Sequence, residues 1–220
     1  MAHQARPPQP LIAEMIRQLV AEPVVTQQRL DTVVRTTLKG TPYRYPRIPE
    51  LVEVYRKQIN GKRHLPLESL LRSKTVRTDS GVAPITLLTK PYACPGKCVY
   101  CPTEVRMPKS YVASEPAAAR ALHLKFDPYQ QVKKRVEALE ANGHEAKKIE
   151  LIIKGGTWSA WPWTYRQWFI KRCFDAANQL GEKKRIRYTS LAQSQTANQT
   201  AAYGIIGLTI ETRPDWINPK

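Results

Sequence analysis

Between residues 11 and 38 the apolar positions recur every three to four residues, the period of a helix with one buried face. In Leu11-Ile-Ala-Glu-Met-Ile-Arg-Gln-Leu-Val20 the stripe Leu11, Met15, Ile16, Leu19 and Val20 predicts a first helix, interrupted by Pro23. Thr26 is a good N-cap for a second helix to Leu38, with Leu30, Val33, Val34 and Leu38 inward and Gly40 placed to stop it. A third, from about Pro49 to Asn60, carries Leu51, Val52 and Tyr55 inward and is closed by Gly61. The proline-rich residues 1–10 predict a disordered start.

From Gly81 the pattern changes. Val82 to Thr89, Lys148 to Ile153 and Ile205 to Ile210 are short apolar runs of strand character. Between them lie helical stretches: Glu115-Pro116 to about Lys125, Asp127-Pro128 to Asn142, Trp163 to Leu180, and one from Ser190 or Ser194 to near Gly204. Strand–helix alternation of this kind predicts an α/β fold with a parallel sheet and right-handed crossovers. The chain thus divides into a basic helical region, 1–80, and an α/β region, 81–220. Three strands make an incomplete sheet, and each ends in a chemically rich segment: a cysteine cluster, Gly155-Gly156-Thr157, and Glu211-Thr-Arg-Pro-Asp215. Ligands of parallel α/β sheets gather at the carboxyl ends of the strands, so one shared site is expected there.

Charge narrows the partners. Lys+Arg 35 against Asp+Glu 18 gives +17 and a pI near 9.9, a balance that suits a polyanion, nucleic acid before a membrane surface. The chain has no apolar run near the ~20 residues a spanning helix needs and no signal-peptide pattern at its start. Arg35, Lys39, Arg44, Arg47, Lys62 and Arg63, with Tyr43 and Tyr45 interleaved among arginines, predict a surface that tracks phosphates and stacks on an unpaired base. The plainer reading of each cation alone is a solvated helix surface.

Cys94, Cys98 and Cys101 fall within eight positions as C-x3-C-x2-C, with Tyr100 immediately before the last. Such crowding does not resemble a secreted disulfide framework and fits a reducing cytoplasm with thiolates reserved for metal. Three thiolates can hold a [4Fe–4S] cluster and leave one iron open. S-adenosylmethionine (SAM) can chelate that iron and, on reduction, give a 5′-deoxyadenosyl radical. The rival is structural zinc, with Cys173 or His123 as fourth ligand; Cys173, in an apolar helical pattern, reads better as a buried thiol, and the cluster is favoured. Gly155, Gly156 and Thr157 allow close backbone approach to a ligand, although a strand-ending turn needs glycine anyway. Glu211 and Arg213 alternate along an extended segment suited to hydroxyls and a carboxylate, or equally to a surface ion pair.

The cysteine motif with its aromatic is the radical-SAM signature. Cys98-Val-Tyr-Cys-Pro102, Ser114-Glu-Pro116, Phe126-Asp-Pro-Tyr129, Ile153-Lys-Gly-Gly-Thr-Trp158 and Gly207-Leu-Thr-Ile-Glu-Thr-Arg-Pro-Asp215 together resemble the catalytic subunit of Elongator and its archaeal and bacterial relatives. That resemblance implies an α/β fold in which a basic helical tRNA-binding region precedes the first half of a radical-SAM partial (β/α) barrel. It implies a tRNA-modifying enzyme that places a carboxymethyl group on C5 of the wobble uridine, with acetyl-CoA as carbon source and a further acetyltransferase domain that is absent from these 220 residues. Cys94, Cys98 and Cys101 would ligate the cluster. Tyr100, Gly155, Gly156, Thr157, Glu211 and Arg213 would line the SAM site, and Lys148, otherwise a plain exposed lysine at a strand start, would meet acetyl-CoA. The implied partners are tRNA, acetyl-CoA and other Elongator-type subunits, in the cytoplasm. Two other functions compete: a tRNA-binding fragment whose cluster is structural, and a radical-SAM enzyme acting on small molecules.

Overall fold

The computed structural model describes residues 5–58 and 62–217, and it resolves into two compact units. The first comprises residues up to 79 together with 138–145; the second comprises 80–137 and 146 onward.

The first unit is helical. Helix α1 (Gln9–Val20) starts earlier than the prolines suggest, because a proline in the first turn forfeits no hydrogen bond. Its buried stripe is Ile12, Met15, Ile16 and Leu19, while Val20 is 38% exposed and Leu11 only partly covered. The expected face is therefore rotated: the i, i+3, i+4, i+7 set that begins at Ile12 is the one a single helix face can carry. Helix α2 (Gln27–Leu38) is capped by the Thr26 hydroxyl, which accepts from the Arg29 N–H at 3.2 Å, and it buries Leu30, Val33 and Val34. Helix α3 (Ile48–Gln58) buries Leu51, Val52, Val54 and Tyr55; the stop expected at Gly61 lies outside the described residues. A short helix α4 (Leu65–Leu70) was not expected. At six residues it is too brief to show a period, and side chains define it instead. The His64 Nδ1 accepts from the Leu67 N–H, the Tyr55 hydroxyl accepts from the His64 N–H at 2.8 Å, and that hydroxyl donates to Glu68 at 2.8 Å. These four helices share one apolar core.

The second unit is a strand–helix alternation: β1 (Ala83–Leu88), α5 (Pro116–His123), α6 (Pro128–Ala141, whose last turn belongs to the first unit), β2 (Lys148–Lys154), α7 (Trp163–Gln179), α8 (Leu191–Asn198) and β3 (Gly204–Ile210). The sheet is parallel throughout, in the order β1-β2-β3. Leu88 stands opposite Lys154 and Ile153 opposite Ile210, so the three carboxyl ends are level. Ile85, Leu87, Ile149, Leu151 and Ile153 are buried. A bulge at Ile149/Glu150 skips Ile206, and Ile206 and Leu208 of β3 remain 58% and 41% exposed. Helix α8 stops six residues short of the expected end because Asn198 turns the chain: its amide donates to the Tyr203 carbonyl and accepts from the Ile205 N–H. At the other side of the sheet the buried Gln131 amide accepts from the Leu88 N–H at 2.9 Å and donates to the Leu88 carbonyl at 3.0 Å.

Candidate functional site

Where β1 ends, Thr89 joins the strand ends together. Its N–H donates to the Lys154 carbonyl and its hydroxyl to the Gly155 carbonyl. Gly155 adopts φ +134, and a Cβ there would collide with the Thr89 hydroxyl, so the close approach of the two strand ends requires glycine.

The loop that follows carries the cysteines in irregular backbone, all three half-buried. Each thiol has a polar neighbour of its own. Cys94 Sγ lies 3.3 Å from the Thr157 hydroxyl, and Cys101 Sγ lies 3.1 Å from the Ser110 hydroxyl. Cys98 Sγ accepts from Arg213 Nη1 at 3.4 Å. Gly96 passes so close to that guanidinium that a side chain would displace it. Tyr100 is 87% exposed; the charge of Cys98, a hydrogen bond to its sulfur, and the nearby Cys101 raise its phenol above the usual range. Beside the loop is a hollow of about 450 Å³, lined by Tyr92, Cys94, Gly96, Thr103, Glu104, Met107 and Lys109 among others. Among the described residues no three of His, Cys, Asp and Glu are drawn around a single point as a cage for one metal ion. Cys173 is fully buried in α7, where burial pushes its thiol well above the usual range, and His123 is exposed at the end of α5.

The third strand closes the site. The Glu211 N–H donates to the Ile153 carbonyl, and its carboxylate takes the Tyr111 hydroxyl at 2.5 Å and Lys154 Nζ at 3.0 Å. Burial, then the Glu211 contact, pushes the Tyr111 phenol up, so it remains a donor. Arg213 also grips Asp215 through Nε and Nη2, at 2.9 and 2.8 Å. On the other flank, Trp161 is sandwiched between Tyr92 and Tyr165, each 3.8 Å between ring centroids, with Lys90 Nζ 5.4 Å from the Tyr165 ring. This stack ties the entry of the cysteine loop to α7.

Of the expected site residues, Cys94, Cys98, Cys101, Tyr100, Gly155, Gly156, Thr157, Glu211 and Arg213 come together at this edge. Lys148 does not: it is the exposed first residue of β2, at the amino end of the sheet and about 20 Å along the strand from Gly155. In the first unit the expected cations divide. The Arg44 guanidinium makes a two-pronged pair with Glu50, and Arg63 pairs with Glu68 and Glu145, so their charges are already answered. Arg35, Lys39, Arg47 and Lys62 form no ion pair among the described residues. Thr89, Ser110, Tyr111 and Lys154 were missed. Lys154 could have been found from its place at a strand's carboxyl end; Ser110 and Tyr111 sit in a long connection with no period.

These features define a parallel α/β protein in which a three-cysteine loop, a glycine turn and an acidic–basic segment meet at the carboxyl edge of the sheet. No family model matches the chain. It is 47% identical over 157 residues to a tRNA uridine(34) acetyltransferase of Methanocaldococcus jannaschii, covering 69% of this chain and 28% of that protein. It is 33% identical over 222 residues to Elongator complex protein 3 of Danio rerio, covering 93% of this chain and 38% of that protein. A solved structure of Methanocaldococcus infernus Elp3 lacking its N-terminus aligns at 36% identity and a TM-score of 0.46, over 63% of this chain and 24% of that one. The chain belongs to the family of the Elongator catalytic subunit, and it spans well under half the length of the curated relatives it matches. Among the described residues no helix is long and apolar enough to cross a membrane.

Proposed function

We propose that this chain supplies the tRNA-binding and radical-generating parts of a wobble-uridine modifying enzyme that carboxymethylates C5 with acetyl-CoA as carbon source. What supports this reading most is the meeting of Cys94 with Thr157 and of Cys98 with Arg213 at one sheet edge, with Cys101 on the same loop, in a chain whose relatives are named for tRNA uridine(34). In it, residues 1–80 bind tRNA, through Arg35, Lys39, Arg47 and Lys62 before Arg44 and Arg63. Residues 81–220 are the radical-SAM domain, with β1–β3 as the first half of its partial barrel. It works in the cytoplasm, beside other Elongator-type subunits.

The three thiols suit a [4Fe–4S] cluster: they are half-buried on one loop, and each has a hydroxyl or guanidinium able to hydrogen-bond a cluster thiolate. With SAM bound, such a cluster supplies the electron that splits the sulfonium into methionine and a 5′-deoxyadenosyl radical. The chain's own residues do the positioning. Gly155 and Gly156, at φ +134 and +78, present bare backbone to the amino-acid end of SAM, and Thr157 offers its hydroxyl. Glu211, steadied by Tyr111 and Lys154, offers an acceptor for hydroxyls at the end of β3. The Tyr92–Trp161–Tyr165 stack keeps the loop from shifting as ligands enter. Lys148 contacts acetyl-CoA.

The place of Lys148, at the far end of β2 from the cysteines, favours a second reading in which this chain binds tRNA around a structural cluster and does not complete the reaction by itself. Anaerobic reconstitution with iron and sulfide separates the two. The first reading expects about four irons per chain and release of 5′-deoxyadenosine on adding SAM and a reductant. Both should be lost in the Cys94→Ser, Cys98→Ser and Cys101→Ser variants. Iron without deoxyadenosine selects the second reading; no iron at all rejects both.

A further inference from the structure

On the helical side of the second unit, α6, α7 and the segment after α7 enclose a groove of about 780 Å³ that shares no lining residue with the hollow beside the cysteines. Its walls carry six cations, Lys133, Lys171, Arg172, Lys183, Arg185 and Arg187, against three carboxylates, Glu137, Asp175 and Glu182. Lys133 and Lys171 have carboxylates one turn away, Glu137 at 3.9 Å and Asp175 at 2.8 Å. Lys183, Arg185 and Arg187 have none: all three are exposed and in no ion pair among the described residues. Charge left unanswered in this way contrasts with Arg44 and Arg63, which carboxylates have claimed.

The cations are also held in place. Gly181, at φ +82, turns the chain back after α7, and the Gln179 amide then clamps the returning backbone, donating to the Lys184 carbonyl at 2.8 Å and accepting from the Ile186 N–H at 2.9 Å. Side chains that start from a fixed backbone lose less entropy on binding than those of a free tail. Where α6 meets α7, the Arg172 guanidinium lies 4.5 Å from the Tyr129 ring centroid. Beyond it, across the shared wall residue Gln130, a second hollow of about 590 Å³ presents Trp168, 44% exposed, beside Tyr165 and Lys90. A row of fixed, unpaired cations leading to an exposed indole suits a strand of phosphates with one base out of its stack. An acidic protein has no need of the indole.

We propose that the α6–α7 groove and the hollow beside it form a second RNA-binding surface, in which Lys183, Arg185 and Arg187 in the groove track the phosphates of an unpaired segment and Trp168 in the hollow stacks on one of its bases. The proposal rests on the tRNA reading above. It is tested by tRNA binding at several salt concentrations with the intact chain, a Lys183→Ala/Arg185→Ala/Arg187→Ala variant and Trp168→Ala, using heparin as a polyanion without bases. The triple variant should bind tRNA at least tenfold more weakly, with a log–log salt slope shallower by about 2. Trp168→Ala should lose about tenfold for tRNA, keep its salt slope and bind heparin unchanged. Protection of Lys183 from amine acylation by bound tRNA tests the contact in the unmodified chain, without relying on any variant to fold. If the unmodified chain binds no tRNA, the tRNA reading falls and this proposal with it. If it binds, but both variants bind equally well and Lys183 is unprotected, the groove alone is overturned. A triple variant weakened equally for tRNA and heparin, with Trp168→Ala silent, makes the groove a general polyanion patch and also overturns the proposal.

Discussion

Arg213 reaches back across 115 positions to put Nη1 3.4 Å from the Cys98 sulfur while its other nitrogens hold Asp215. A positive hydrogen-bond donor at a cluster thiolate favours the electron-richer, reduced state less poorly than an apolar neighbour would, so it raises the reduction potential. The Arg213→Gln variant is expected to take up iron and sulfide like the parent and to titrate at a lower midpoint potential by electron paramagnetic resonance. Loss of iron uptake would instead make the guanidinium a prop for the loop.

Gly155 and Gly156 differ in what a methyl group would meet. At 155 it collides with Thr89 in a backbone conformation that side chains rarely adopt; at 156 the nearest atom is 3.7 Å away, and only φ +78 is at issue. Urea unfolding should show Gly155→Ala destabilised by about 3 kcal/mol and Gly156→Ala by about 1. Equal losses would mean that strain alone, and not the contact with Thr89, sets the requirement.

Trp161 is 4% exposed and stacked on both faces. Trp161→Ala is expected to cost about 3–5 kcal/mol, with collapse of the near-ultraviolet circular dichroism of the aromatic stack. Trp161→Phe should retain most of that stability. A mild Trp161→Ala phenotype would show that Tyr92 and Tyr165 can close the gap themselves.

In the helical unit, hydrogen bonds from Arg44, with the Arg47 N–H and the charges of Arg44 and Arg6, hold the Glu50 carboxyl below its usual range against the opposing effect of burial. A depressed folded value adds stability above the unfolded value of about 4.3 and loses it as pH falls through the folded one. The gap in urea midpoint between the parent and Glu50→Gln should therefore stay constant from neutral pH to about 5 and shrink below about 4. A gap that persists at about pH 3 would place its origin in packing.

The residues reveal the elements more fully than their partnerships. Strands β1–β3 and helices α2, α6 and α7 are legible because each runs long enough to show its period, and the parallel order predicts that Thr89, Gly155 and Glu211 end level. The same order puts Lys148 at the opposite edge, since the first residue of a parallel strand cannot join the last. Helix α4 is too short to announce itself, and the stripe of α1 is misread by including Val20 where Ile12 belongs. Partnerships such as Arg213 with Cys98, or Arg44 with Glu50, depend on where the folded chain brings distant side chains. The groove lined by Lys183, Arg185 and Arg187 likewise needs Tyr129 and Lys171 from two other helices, and that meeting has no signal in the sequence.

The grip of Gln131 on Leu88 settles the end of β1. A side-chain amide that fills both the N–H and the carbonyl of Leu88 does there what a neighbouring strand would do, so β1 is sealed where it turns into the cysteine loop. β3 is met by a side-chain amide at its start instead, where Asn198 accepts from the Ile205 N–H at 2.7 Å, while Ile206 and Leu208 show to solvent. The cysteine loop thus departs from a strand end whose last backbone N–H and carbonyl are already satisfied, so its root is anchored on the helix side as well as through Thr89.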